Sequence, residues 1–173
     1  MPTNSYYNSY TTSDGSVYLG SYGKGFLRIK PDGNTVYYTA SNTPLVGIAA
    51  DPNFLVISAL RNDSRGNLWV LNFDAGDRKT LSLLTGDSTW YGFENSWGSG
   101  VTNYSNLEID QSDTKWFTSP LRNYLYYYNE RGTPSNTADD ISGLLTESNG
   151  LNGQKINALA IDKRGDMWIG TDL

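Results

Sequence analysis

Side chains able to do acid–base or metal chemistry are few in this sequence of 173 residues. It contains no His and no Cys, which excludes a Ser/His/Asp triad, a Cys/His pair and an ordinary zinc or iron site with those ligands. Carboxylates remain, and Asp139 and Asp140 with Glu147 are candidates for the acid and base of glycoside hydrolysis. Acids in a polar link between strands are more often solvated turn formers, so we predict no enzyme, no catalytic residue, no metal site and no cofactor.

Three acids recur at one position of a repeated pattern, namely Asp63, Asp110 and Asp162. A ring of carboxylates suits hard cations such as Ca²⁺. An Asp that precedes every hairpin turn, however, commonly accepts backbone N–H bonds within that turn. We therefore interpret these residues as turn formers.

Four residues are candidates for ligand binding. Trp97 is flanked by Asn, Ser and Gly, which leaves a large ring little to pack on; it either stacks on a sugar or folds back over a neighbouring sheet edge. Tyr22 and Lys24 lie in a Gly-rich run that joins two strands; no helix follows to receive a phosphate, so we predict a loop and not a phosphate site. Arg122 lies in a comparable loop, and both cations are candidates for contacting acidic groups.

A repeat of about fifty residues organises the chain. Each copy has an apolar strand, a turn with Gly beside Asp or Asn, and a second strand that carries a large aromatic residue. Gly supplies the positive φ that a tight hairpin needs, although the third copy has lost it. The aromatic anchors are Tyr18, Trp69, Trp116 and Trp168, and the turn glycines are Gly15, Gly66 and Gly165.

Two further strand-like runs follow the hairpin in each complete unit, which gives four antiparallel strands per repeat without helices. This pattern predicts an all-β fold, a β-propeller of about three and a half four-stranded blades, with the anchors filling the wedges between blades. We assign the units to residues 5–48, 49–100, 101–152 and 153–173. An open arc exposes its end faces, so we expect the remaining blades to come from the rest of a longer chain or from a second copy.

Charge and hydropathy exclude two classes of partner. The net charge is −5, with 13 basic and 18 acidic residues, and no basic stripe exists to neutralise a phosphate backbone, so we predict no nucleic-acid binding. No apolar run approaches the length of a membrane span, and the first residues lack the features of a signal peptide.

The last unit resembles the two-component regulator propeller repeat of Bacteroidetes through residues 156–162 and 165–171, and residues 57–70 resemble it well. That resemblance implies an exported protein of the periplasm or cell surface. Stretches 115–128 and 146–151 are similar to surface propellers of type IX secretion, which implies a binding scaffold for a polysaccharide or a secretion-system protein. The alternative that the resemblance leaves open is the glycan-sensing periplasmic region of a hybrid histidine kinase.

Overall fold

The computed structural model describes residues 5–94, 97 and 100–172. Within them the chain folds into short strands and two single-turn 3-10 helices, Thr137–Asp139 and Glu147–Asn149. The strands are β1 Tyr6–Thr11, β2 Val17–Gly23, β3 Phe26–Ile29, β4 Thr35–Tyr38, β5 Leu55–Asn62, β6 Leu68–Asn72, β7 Leu81–Leu84, β8 Trp90–Phe93, β9 Ser105–Ile109, β10 Lys115–Ser119, β11 Arg122–Asn129, β12 Ile141–Leu145, β13 Ile156–Ile161 and β14 Met167–Thr171.

The strands pair antiparallel in blades that follow the repeat. The first blade is β1–β4, the second β5–β8, the third β9–β12, and the fourth contains the hairpin β13–β14. The first strands of successive blades contact one another in chain order, β1 with β5, β5 with β9 and β9 with β13. The predicted all-β fold is confirmed: the chain forms an arc of an incomplete β-propeller.

The two ends of the blades differ in their loops. At one end, called here the turn end, lie the hairpin turns 12–16, 63–67, 110–114 and 162–166. At the opposite end, the link end, lie the connections 23–26, 73–80 and 119–122 between second and third strands, because antiparallel strands reverse direction at each turn. At the link end β2 also pairs with β5, through Tyr22↔Val56 and Gly23↔Leu55, and this joins the first two blades into one sheet.

The repeated Asp organises the hairpin turns of the second, third and fourth blades. Asp63 accepts the backbone N–H of Arg65 at 3.0 Å and of Asn67 at 2.9 Å on one oxygen. Its other oxygen accepts the Trp69 indole N–H at 3.1 Å. Equivalent indole bonds run from Trp116 to Asp110 at 2.8 Å and from Trp168 to Asp162 at 3.3 Å. The predicted turn role is confirmed, and each Asp also fixes the aromatic anchor of its own blade, which the sequence did not reveal.

The third blade shows how the turn survives without its Gly. In the second blade Gly66 takes φ +80°. Asp113 occupies the same place with φ +58°, and Asp tolerates this left-handed region better than most residues because its short side chain bonds locally. Its carboxylate accepts the N–H and the hydroxyl of Ser64 at 2.8 and 2.6 Å. The substitution therefore adds a tie between the second and third blades.

Two apolar cores fill the seams between blades. Tyr18, 6% exposed, lies between the first and second blades against Leu68 and Val70. Trp69 has no exposed surface and lies between the second and third blades, where its ring stacks on Phe93 at 5.3 Å and meets the edge of Tyr128 at 6.3 Å. For these two anchors the predicted wedge role is confirmed.

For the last anchor the wedge role stays a prediction, because its outer side is an end face of the arc, which the sequence predicts to be exposed. Trp168 is 61% exposed, and Trp116 is half-buried beside Tyr127. An anchor packs against the blade that follows its own, as Trp69 packs against Tyr128 of the third blade. No described residue covers the equivalent side of Trp168 as the third blade covers Trp69, so the Trp168 ring faces solvent.

A buried ion pair lies in the seam between the second and third blades. Lys115 and Glu130 are both fully buried and paired, and the Lys115 ammonium sits 3.9 Å from the centre of the Trp69 ring. Arg65 donates to the other Glu130 oxygen at 2.7 Å. Burial lowers the pKa of Lys115, and Glu130 opposes that lowering. The sequence placed Glu130 in a polar inter-strand link and gave no indication of this burial.

Replacing Asp63 by Ala is expected to destabilise the fold by about 3 kcal/mol, because the Trp69 indole and two turn amides lose their acceptor in a buried place. Asp162→Ala removes the same bonds at an exposed turn and should have a markedly smaller effect. Urea unfolding monitored by circular dichroism measures both. Equal losses of stability for the two variants would contradict the importance of burial at this turn.

Candidate ligand-binding surfaces

An exposed aromatic surface lies at the link end of the first blade. Tyr7 on β1 is 52% exposed and Tyr22 on β2 is 59% exposed, with their rings edge to face at 6.4 Å. Tyr22 rests in turn on Phe54, at 5.4 Å and nearly perpendicular. We call Tyr7, Tyr22 and Phe54 the aromatic platform. Large apolar rings that remain exposed together are typical of contact surfaces.

Irregular backbone holds the platform in place. The pairing of β1 with β2 shifts register between Tyr6 and Asn8, so Tyr7 sits in a bulge, a feature that redirects a side chain. A Cβ atom at Gly23 would come within 2.7 Å of the Phe54 ring, so the close approach of this ring requires Gly. The platform therefore depends on local backbone geometry as well as on its rings.

Lys24 is held at the rim of the platform by a tight turn. The Ser21 hydroxyl donates to the Gly25 carbonyl at 2.8 Å and accepts the Lys24 N–H at 3.1 Å. Lys24 is exposed two residues from Tyr22. Tyr22 lies on a strand and Lys24 follows in the turn, so the predicted loop over the Gly-rich run is wrong as far as Gly23, where β2 ends. The pair still provides an aromatic face beside a positive charge.

The platform hydroxyl of Tyr7 stays protonated far above neutral pH. Burial, followed by the neighbouring Tyr22, raises the pKa of Tyr7 to about 12. At physiological pH this phenol is therefore a neutral donor and acceptor.

Of the other predicted ligand residues, Arg122 begins β11 at the link end of the third blade, beside the exposed Leu121. It is exposed, but it lies in a different blade from the platform. Trp97 is only 1% exposed and packs edge-on against Phe117 at 5.3 Å and Tyr128 at 5.4 Å. A ring without an exposed face cannot stack on a sugar, so the prediction of Trp97 as a ligand surface is wrong.

A cleft of about 560 Å³ opens at the turn end between the first and second blades. Its origin is a difference between seams: the anchor is Tyr18 instead of Trp, and Leu68 and Gly86 stand at the positions of Lys115 and Glu130. Smaller side chains leave the space open, within the size range of small-molecule pockets.

The charged groups of this cleft bind one another. Asp14 accepts the Thr12 hydroxyl and, at 2.9 Å, the Ser16 N–H, and it pairs with Arg28 at 3.3 Å. The Thr12 bond, then the Ser16 bond and lastly Arg28 lower the pKa of Asp14 to about 2. The cleft is therefore polar at its mouth, but its Asp and Arg already neutralise each other.

The candidate catalytic acids do not converge. Asp140 accepts the Tyr128 hydroxyl at 2.6 Å and Asp139 accepts the Thr133 hydroxyl at 3.0 Å, both before β12. Glu147 follows β12. A five-residue strand spans roughly 16 Å, well beyond the roughly 5–9.5 Å between the two carboxyl groups of a glycosidase. Within residues 5–94, 97 and 100–172 no cluster of three or more Asp or Glu side chains has the arrangement of a metal site.

Sequence reasoning missed Tyr7 and Phe54. Tyr7 lies in β1, where the sequence Tyr-Tyr-Asn-Ser-Tyr over 6–10 lacks the regular alternation that marks a half-buried strand. Phe54 lies in a loop, where no periodicity marks it.

In the part of the chain that the structure describes, no helix has the length and apolar character needed to cross a bilayer.

Blades of antiparallel strands, anchored by aromatic rings and carrying exposed loops at both ends, define this chain as part of a β-propeller. Residues 150–172 match the family model of the two-component regulator propeller. The chain therefore carries this repeat, and the resemblance seen in the sequence is confirmed. No curated protein sequence matches it.

Solved structures share the fold over nearly the whole chain. PorZ, an essential surface component of the type IX secretion system of Porphyromonas gingivalis, is 26% identical with a TM-score of 0.76, over 95% of this chain and 23% of PorZ. The extracellular domain of a hybrid two-component system of B. thetaiotaomicron is 15% identical with a TM-score of 0.67, over 99% and 21%. Virginiamycin B lyase of Staphylococcus aureus is 13% identical with a TM-score of 0.66, over 96% and 49%. The chain thus spans less than half of each relative.

Removing the Tyr22 hydroxyl is expected to lower the pKa of Tyr7 from about 12 while leaving it above 10, because burial, the larger cause, persists. An NMR titration with ¹³Cζ-labelled tyrosine, assigned with Tyr7→Phe, measures this in wild type and Tyr22→Phe. Between pH 10 and about 12 the folded chain keeps a proton that the unfolded chain loses, so stability should fall as pH rises through this window. An unshifted Tyr7 pKa in the wild type contradicts the packing of the platform.

Proposed function

We propose that the chain is a non-enzymatic binding segment of an exported bacterial propeller, and that its aromatic platform binds a polysaccharide at the periplasm or cell surface. The observation that carries the proposal is the pair of exposed, mutually supported rings of Tyr7 and Tyr22 beside Lys24. The surface location draws support from PorZ, a surface component, and from the extracellular domains of two-component systems.

Sugars suit this surface for physical reasons. Apolar C–H faces of a sugar ring pack on aromatic faces, and protonated phenols exchange hydrogen bonds with its hydroxyls. Because Tyr22 is already packed on Phe54 and Tyr7 on Tyr22, these rings lose little rotamer entropy on binding. Lys24 adds attraction for acidic sugars, which is weak at long range because salt screens exposed charges.

A non-enzymatic role is supported by the residues at hand. This sequence has no His and no Cys to serve as a general base or a thiol nucleophile. The candidate acids Asp140 and Glu147 of this chain stand at opposite ends of β12, too far apart to act as a catalytic pair. Among the possible settings, similarity to PorZ at 26% identity favours the surface-component setting over the sensor setting, whose extracellular domains are 15% and 21% identical.

A glycan array probed with the whole chain tests the proposal. We expect retention of a subset of polysaccharides, and at least about tenfold weaker binding for Tyr7→Ala with Tyr22→Ala, as for loss of a central contact. Lys24→Gln should reduce binding to uronic-acid or sulfated glycans while sparing neutral ones.

Ile141→Ala is the matched control, since Ile141 is a comparably exposed apolar residue, 45% exposed, at the turn end of the third blade. It should leave retention unchanged. If no glycan is retained, or if the double tyrosine variant binds as well as the wild type, the proposed polysaccharide function is wrong.

A further inference from the structure

The outer face of the fourth blade repeats a charged constellation of the second blade. Trp168 donates to Asp162 at 3.3 Å and Arg164 lies 3.5 Å from the same carboxylate oxygen. Arg164 also lies 3.0 Å from Asp166, where the second blade has the uncharged Asn67. In the second blade Trp69 donates to Asp63 at 3.1 Å and Arg65 lies 3.8 Å from it. One copy is exposed, with Trp168 at 61% and the Arg164 side chain at 76%, while Trp69 is fully covered. We call Asp162, Arg164 and Trp168 the terminal face.

The covered copy shows what this constellation binds. The third blade places Lys115 over the face of the Trp69 ring at 3.9 Å and brings Glu130 to Arg65 at 2.7 Å. The two added charges are opposite in sign and pair with each other. Because each charge has partners, the seam buries them without leaving one unpaired.

The seam between the first and second blades provides an internal comparison. The first blade has Asp14 where the second has Arg65. The covering blade there has Leu68 and Gly86 at the positions of Lys115 and Glu130, as the strand pairings Leu68↔Leu84 and Lys115↔Tyr128 establish. The seam whose turn contains an Arg therefore has a Lys and a Glu in the facing blade. The seam whose turn lacks the Arg has uncharged residues at those two positions.

We propose that the terminal face binds a propeller blade that carries a Lys over Trp168 and a Glu against Arg164. The first blade of a second copy of this chain is a poor occupant, since Val17 and Pro31 stand at its Lys115 and Glu130 positions. The occupant is therefore a blade of different sequence from the first. This inference is independent of the proposed glycan binding, which involves the opposite side of the arc.

An extended chain tests the charge requirement. Leu173 occupies the repeat position of Asp74, so a duplicate of residues 75–152 joined after Leu173 continues the repeat and supplies a covering blade with copies of Lys115 and Glu130. A second version carries Leu and Gly at those two duplicated positions, as in the second blade. Arg164→Ser is made in both versions, and urea unfolding is measured for all four proteins.

We expect Arg164→Ser to raise the unfolding equilibrium constant about tenfold more in the Lys and Glu version than in the Leu and Gly version, as for a coupled network. Fluorine NMR of 5-fluorotryptophan, assigned with Trp168→Phe, should show Trp168 shielded from solvent in the Lys and Glu version. Equal effects of Arg164→Ser in the two versions, or an exposed Trp168 in the Lys and Glu version, overturn the proposal.

Sedimentation of the unextended chain tests the competing occupant. If the chain forms a dimer that Trp168→Ser abolishes, a second copy covers the terminal face and the proposal is wrong. A monomer, or a dimer that Trp168→Ser leaves intact, supports a blade of different sequence as the occupant.

Discussion

The fold depends on one carboxylate, present in three of the four repeats, that binds a turn and an indole together. Because Asp63 takes two turn amides on one oxygen and the Trp69 N–H on the other, the turn and the ring orientation are fixed by the same group. The ring then stands at a fixed angle in the wedge between sheets, where an aromatic side chain buries the most area. At the seam between the second and third blades, the fixed Trp69 ring is the surface on which Phe93, Tyr128 and Lys115 pack.

The seams share this device but not their composition. Around Tyr18 the second blade contributes aliphatic side chains and leaves a cleft at the turn end. Around Trp69 the third blade contributes Lys115 and Glu130 and leaves none of their atoms exposed. An apolar surface can pack against many different apolar surfaces, whereas a buried charge requires a partner of opposite charge. A repeat protein with such mixed seams can specify the order of its blades.

The strands and turns were predictable because their signals are local. Alternation, Gly or Asp at the turn and one aromatic per repeat place β5 and β6, or β13 and β14, without knowledge of any other blade. Contacts across seams were not predictable in this way. Trp97 is covered by Phe117 and Tyr128. Glu130 is buried with its ion partners. Trp168 is exposed, although its own repeat resembles that of Trp69. Each outcome is decided by the facing blade, and the one-dimensional pattern of a single repeat does not contain it.

Pairing of β2 with β5 makes the seam between the first two blades different from the seam that follows it. Main-chain bonds join the first and second blades into a continuous sheet, whereas the third blade forms a sheet of its own in the described part of the chain. Main-chain pairing does not depend on the identity of the side chains, so part of the first junction is insensitive to sequence. The second junction relies more on particular side chains, among them Lys115 with Glu130 and Arg61 with Glu108.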